Sequence, residues 1–71
     1  MFPNVDAERA RRRLTLEMIT KEMNERGFNL TVAMLSQKLS GKYPLRFDEA
    51  KAIRDIIAPG MPLDELFEEV A

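Results

Sequence analysis

Apolar residues recur every three or four positions along most of this chain, which is the period of an amphipathic α-helix. Turn-forming and capping residues interrupt the pattern, so the sequence predicts five helices and no strands. Short connections between such helices favour one compact all-α domain over residues 1–71. In the first two helices we expect the apolar positions to be Val5, Ala7, Ala10, Leu14, Leu16, Ile19 and Met23, with Met18, Met23 and Met34 as core-filling methionines.

Capping residues predict where the first two helices begin and end. Asn4 is expected to cap a first helix that continues to about Arg13, and Thr15 is expected to cap the second helix. Gly27 is expected to end the second helix in a left-handed conformation, with Phe28 folded back over that helix.

The third helix is predicted from the stretch TVAMLSQKLSGK, where Thr31 can cap the start and Gly41 can end the helix. Leu35 and Leu39 lie one turn apart and anchor one face in a core. The opposite face carries short or hydrogen-bonding side chains without a carboxylate, namely Val32, Ala33, Ser36 and Gln37. Such a face suits a DNA major groove, where amides contact base edges and small apolar groups contact thymine methyls. An ordinary surface helix has the same pattern and stays the alternative.

Two further helices are predicted in the last third of the chain. The fourth is expected over about Phe47 to Ala58, with Asp48 and Glu49 in its first turn and a buried stripe of Phe47, Ala50, Ile53, Ile56 and Ile57. The fifth is expected to open at Pro62, with apolar positions at Leu63, Leu66, Phe67 and Val70. So many apolar residues exceed what a terminal helix need bury internally. We therefore expect Phe67, or the Pro59–Pro62 turn, to reach a two-fold interface between copies of the chain.

The composition narrows the possible functions. The chain has no cysteine and no histidine, which excludes disulfides, zinc fingers, thiolate nucleophiles and Ser-His-Asp catalysis. Its acidic residues cluster at predicted helix starts, where the helix dipole favours them, so we expect no enzyme, no metal site and no cofactor. No apolar run approaches the roughly 20 residues of a membrane span, and none follows the arginines at positions 11–13 as in a signal peptide. We therefore expect a cytoplasmic protein.

Charge is distributed unevenly along the chain. Residues 1–46 hold nine basic and five acidic residues, a net charge of +4, whereas residues 47–71 hold two basic and seven acidic residues, a net charge of −5. The total is −1. This asymmetry suits a domain that turns one face toward phosphates, although acidic residues at helix starts also explain part of it.

Three segments resemble a known family. NVDAERARRRLT resembles its first helix, LSQKLSGKYPL followed by FDEAKAI resembles the end of its recognition helix and its fourth helix, and MPLDELFEE resembles its last helix. The family is that of phage-type repressors and Cro-like proteins, of the lambda-repressor-like (XRE-type) helix-turn-helix class. The resemblance implies a five-helix DNA-binding domain with its helix-turn-helix at helices 2 and 3. It also implies a transcriptional repressor of phage or mobile-element origin that binds a double-stranded DNA operator as a homodimer.

The resemblance also implies roles for individual residues. Helix 32–40 would enter the major groove, with base contacts from Val32, Ala33, Ser36 and Gln37. Phosphate contacts would come from Thr31, Lys38, Lys42, Tyr43 and Arg46. The alternative is an interaction module that keeps the helix-turn-helix fold but binds a protein, such as a toxin or another regulator.

The chain departs from the family pattern at three places. MNERGFN lengthens the second helix or the turn after it. Leu16 stands where the family often has a phosphate-binding glutamine. Arg9 stands where the family keeps an arginine paired with an acid, but Leu39 occupies the position of that acid. Arg9 must then find another acid or stay in solvent.

Overall fold

The computed structural model describes residues 2–69 and, within that range, contains five α-helices and no strand. The helices are α1 Pro3–Arg11, α2 Leu16–Glu25, α3 Val32–Leu39, α4 Phe47–Ile57 and α5 Leu63–Leu66. The all-α prediction is therefore confirmed. None of the described helices has both the length and the apolar character needed to cross a membrane.

Threonine caps start α2 and α3, as predicted. The Thr15 hydroxyl accepts the Met18 N–H at 3.2 Å, and the Thr31 hydroxyl accepts the Met34 N–H at 3.1 Å. Each cap satisfies one backbone donor that the helix itself leaves unpaired.

The start of α1 differs from the prediction that Asn4 caps it. Phe2 is the N-cap and Pro3 is the first helical residue, a position that suits the fixed φ of proline. The helix thus begins before Asn4. The Asn4 side chain instead donates from Nδ2 to the Glu65 carbonyl at 2.8 Å, which joins α1 to α5.

Left-handed residues end α2 and α3, as predicted. Gly27 has a φ of 97° and Gly41 a φ of 89°. Beyond Gly27, the Phe28 N–H donates to the Met23 carbonyl at 3.2 Å, the bond that defines a Schellman motif. Phe28 is half-buried and packs against the core, so its fold-back over α2 is confirmed.

The end of α1 has the same motif without a glycine. The helix stops at Arg11, and Arg13 has a φ of 55°, which makes it the single non-glycine residue with positive φ among residues 2–69. The Leu14 N–H donates back to the Arg9 carbonyl at 2.9 Å. An L-residue in this conformation is strained by contact between its Cβ and the following carbonyl.

One cluster of buried side chains forms the core, and every helix contributes to it. Helix α4 is central, because it packs against α1, α2 and α5, while α3 packs on α2. The fully buried side chains are Val5, Ile19, Met23, Leu35, Ile53, Ile57 and Leu66.

Several predictions of burial were wrong. Phe47 is 73% exposed, because the buried stripe of α4 runs through Ala52, Ile53 and Ile57 and Phe47 lies on the opposite side of that helix. Met18 and Met34 are 47% and 40% exposed, so they do not fill the core. Ala7 and Ala10 of α1 are also exposed.

The two ends of the described chain meet. Helix α5 is one turn long, shorter than predicted, and Phe67 is its C-cap. The Phe67 ring meets the ring of Phe2 edge-on, with centroids 5.3 Å apart and planes at 85°. The sequence did not predict that Phe2 is buried. Val70, predicted as an apolar position of this helix, lies outside the described residues.

Candidate nucleic-acid interface

The outward face of α3 carries the side chains that the sequence selected for base contact. Val32, Ala33 and Ser36 are exposed, and Gln37 is half-buried. Met34 lies on the same outward side, although the sequence placed it in the core. Met34 lies outside the buried stripe of Leu35 and Leu39, because it directly precedes Leu35 and successive helical residues are rotated by about 100° about the axis. No carboxylate occurs anywhere in α3.

Hydrogen bonds cap both ends of α3, and its buried side is anchored in the core. Thr31 caps its start, and the Lys42 N–H donates to the Gln37 carbonyl at 3.0 Å to close its end beyond Gly41. Leu35 and Leu39 are buried in the core. The outward side chains therefore project from a short helix with little freedom to fray.

A charged pair joins α3 to α4. Lys38 Nζ donates to both carboxylate oxygens of Glu49, at 2.7 and 2.9 Å, and the two side chains are 15% and 6% exposed. Glu49 also accepts the Arg46 N–H at 2.9 Å, which satisfies the start of α4. The sequence placed Lys38 among the phosphate contacts and Glu49 in a helix first turn. The structure instead directs the Lys38 ammonium at Glu49, so this lysine links α3 to the first turn of α4.

Other candidate phosphate contacts surround a shallow groove beside α3. Gln37, Tyr43 and Arg46 line this groove together with Met34. Tyr43 and Lys42 are exposed. Arg46 Nε lies 3.4 Å from an Asp48 carboxylate oxygen, but both side chains are largely solvated, so a competing phosphate can displace that weak pair.

The connection between α2 and α3 is ordered by an asparagine that the sequence did not single out. Asn24 accepts the Leu30 N–H on Oδ1 and donates from Nδ2 to the Leu30 carbonyl, both at 2.9 Å. This pair of bonds closes the loop 26–31 across its base. The lengthened segment is thus a turn that the domain itself holds in place.

Leu16 and Arg9 stand at two positions where the sequence departs from the pattern of the family that it resembles. Leu16 is half-buried against the core. Arg9 finds another acid, because its Nη2 lies 3.9 Å from an Asp6 carboxylate oxygen, and its Nη1 makes a long 3.5 Å contact with the Leu14 carbonyl. Its Nε is buried without a hydrogen-bond partner, so this arginine is poorly satisfied.

No family model, no curated protein and no solved structure matches this chain. Residues 2–69 contain no group of three or more side chains that could hold a metal ion.

Proposed function

We propose that the protein is a sequence-specific DNA-binding transcriptional regulator, a Cro-like repressor in which α2 and α3 form a helix-turn-helix. The outward face of α3 carries this proposal, because it is exposed, contains no carboxylate and lies beside Lys42 and Arg46. A helix with such a face fits the major groove without placing a negative charge against the phosphates.

Base contacts are assigned to the outward side chains of α3. The Gln37 amide can donate a hydrogen bond to adenine N7 and at the same time accept one from the adenine N6 amino group. This bidentate pair gives Gln37 the strongest preference for one base among these side chains. Val32 and Ala33 can contact thymine methyl groups. The Ser36 hydroxyl can hydrogen-bond to a donor or to an acceptor on a base edge. Met34 extends this apolar surface toward the groove that Tyr43 lines.

Phosphate contacts are assigned to side chains around α3. The proposed set is Thr31 at the helix start together with Lys42, Tyr43 and Arg46, all of which are exposed. Lys38 is omitted because its ammonium is paired with Glu49. Such contacts position the helix on the duplex and carry no sequence information themselves.

Repression would follow from occupancy of the operator. Two copies would bind a pseudo-palindromic site with half-sites one helical turn apart, or about 34 Å. A bound dimer then excludes polymerase from overlapping promoter DNA.

A protein-binding module is the second candidate. The exposed surface of α2 favours it, because Glu17, Glu22 and Glu25 are all exposed there and would repel phosphates that came close. Phe28 speaks against an interaction loop at residues 26–31, because its ring is half-buried and so does not serve as the aromatic anchor that such a loop would need.

Selection of bound fragments from random double-stranded DNA tests the proposal. The expected result is an enriched, pseudo-palindromic sequence whose affinity falls steeply with salt, since released counterions drive phosphate binding. Absence of any enriched sequence, together with salt-independent retention, would reject DNA regulation and leave the protein-binding module.

A further inference from the structure

A pocket of about 500 Å³ lies where the connection between α2 and α3 meets α3 and the start of α4. Half of its lining comes from residues 26–30, and we call it the turn pocket. Its volume falls within the range that is usual for small-molecule sites. Residues 26–29 belong to MNERGFN, the segment that lengthens this chain relative to the family pattern. The turn pocket is therefore a feature of this chain's own connection.

The walls of the turn pocket are held in place by contacts within the domain. Asn24 bonds to both backbone groups of Leu30, each at 2.9 Å, which closes the loop that forms one wall. Two other lining residues, Lys38 and Glu49, are joined by their ion pair at 2.7 Å. A site that is already formed costs a ligand less entropy on binding.

The charged residues of the turn pocket leave it with a net positive charge. Lys38 and Glu49 neutralise each other. Arg46 makes only the solvated 3.4 Å contact with Asp48, and Arg26 is exposed and forms no ion pair within residues 2–69. Two guanidinium groups thus accompany one weakly paired carboxylate. A guanidinium binds carboxylate or phosphate oxygens through two parallel N–H bonds, so the lining favours an oxyanion.

Apolar side chains line the same pocket. Phe28 is half-buried, Leu30 is buried, and the Met34 side chain is 40% exposed. An aromatic ring and a thioether both make favourable contacts with a further aromatic ring. The occupant that satisfies the whole lining must therefore join an oxyanion to a planar apolar body.

We infer that the turn pocket binds a small aromatic oxyanion, a carboxylate or a phosphate ester on a planar ring. The oxyanion binds Arg26 and Arg46, and the ring packs against Phe28 and Met34. Arg46 is also among the proposed DNA phosphate contacts, so the anion and DNA compete for it and each lowers the affinity for the other. This competition rests on the proposed function, whereas binding of the anion does not.

NMR titration of the full chain without DNA tests the inference, with naphthoate and naphthyl phosphate as probes. Both should produce saturable amide shifts at residues 26–30 and at Met34, with a dissociation constant near or below about 1 mM for the better probe. The tighter of the two decides between a carboxylate and a phosphate ester. Neutral naphthamide and inorganic phosphate should bind at least about 10-fold more weakly, since one lacks the charge and the other lacks the ring.

Arg26→Met should weaken binding of the better probe by at least about 10-fold, because it removes one guanidinium from the site. The variant should still fold, since the Arg26 side chain is exposed. Arg12→Met is the matched control, because Arg12 is the exposed C-cap of α1 as Arg26 is of α2. It should leave the affinity unchanged.

Three results would overturn the inference. The first is the absence of saturable shifts at residues 26–30 with both probes, and the second is equal affinity for naphthoate and naphthamide. The third is an equal effect of Arg26→Met and Arg12→Met in two folded variants. A chain that binds a probe in this pocket but retains no DNA would overturn only the proposed function.

Discussion

Lys38 Nζ lies 2.7 Å from one carboxylate oxygen of Glu49 and 2.9 Å from the other, so a nearly buried ion pair joins α3 to α4. Burial removes both groups from water, so the loss of either partner would leave the other as a buried charge without a counterion. Since α3 carries the proposed base contacts, this pair also sets the position of the surface that would enter the groove.

Removal of one partner should therefore lower the free energy of unfolding more than removal of the charge from both partners. Lys38→Met leaves the Glu49 carboxylate without its cation, and we expect a loss of about 3 kcal/mol in the free energy of unfolding. Adding Glu49→Gln should recover most of that loss, because glutamine is uncharged and can still accept the Arg46 N–H. Urea unfolding measures both effects.

Lys42→Met is the control for this experiment. Lys42 is exposed, so the same substitution there should leave the free energy of unfolding nearly unchanged. The structural role of the pair is wrong if Lys38→Met is as stable as Lys42→Met.

The Asn24 side chain should be required for an ordered turn between α2 and α3. Asn24→Ala removes both bonds to the Leu30 backbone, with an expected loss of about 1–2 kcal/mol in the free energy of unfolding. The Leu30 amide should also exchange with solvent faster, which hydrogen-exchange NMR measures directly. Asn29→Ala, in the same loop, should change neither quantity. Unchanged Leu30 exchange in Asn24→Ala would contradict the assignment.

Arg13 and Gly27 occupy equivalent positions after α1 and α2 but should respond in opposite ways to substitution. Arg13→Gly relieves an L-residue at a φ of 55°, and we expect stabilisation by about 0.5–1 kcal/mol. Gly27→Ala places a Cβ at a φ of 97°, with nothing within 4 Å to obstruct it, so backbone strain alone should destabilise by about 1 kcal/mol. Thermal melts of the two variants should shift in opposite directions. Shifts of the same sign would contradict this explanation.

The sequence predicted the helices well because their signals are local. Thr15, Thr31 and Gly27 act within a few residues of themselves, so their roles follow from spacing alone. It failed where the relevant contact joins distant segments. Examples are the Asn4 side chain, which bonds to α5, and Phe2, which is buried against Phe67.

The candidate site was predicted in part for the same reason. The periodicity of α3 placed Val32, Ala33 and Ser36 on its exposed face. It could not indicate that Lys38 would meet Glu49, because that pair depends on how the fold places α3 relative to α4. Nor could apolar character alone place Phe47, since an aromatic residue at a helix start fits either a core or an interface. The base and phosphate contacts themselves stay predictions.

Lys42 should contribute to DNA affinity through charge alone. Lys42→Ala should weaken binding to operator and to random DNA by a similar factor. It should also reduce the slope of log affinity against log salt by about one, the change expected for one lost phosphate contact. Lys21→Ala, which removes an exposed lysine of α2, should leave the slope unchanged. Equal slopes for wild type and Lys42→Ala would remove Lys42 from the set of phosphate contacts.

The central claim is that the outward face of α3 contacts base edges, and the affinity of Gln37→Ala for selected operator and for random DNA tests it most directly. The substitution should weaken operator binding by about 1–3 kcal/mol and leave binding to random DNA nearly unchanged, with the preference lost at one or two base pairs. Equal losses on the two DNAs, or no loss on either, would contradict the claim.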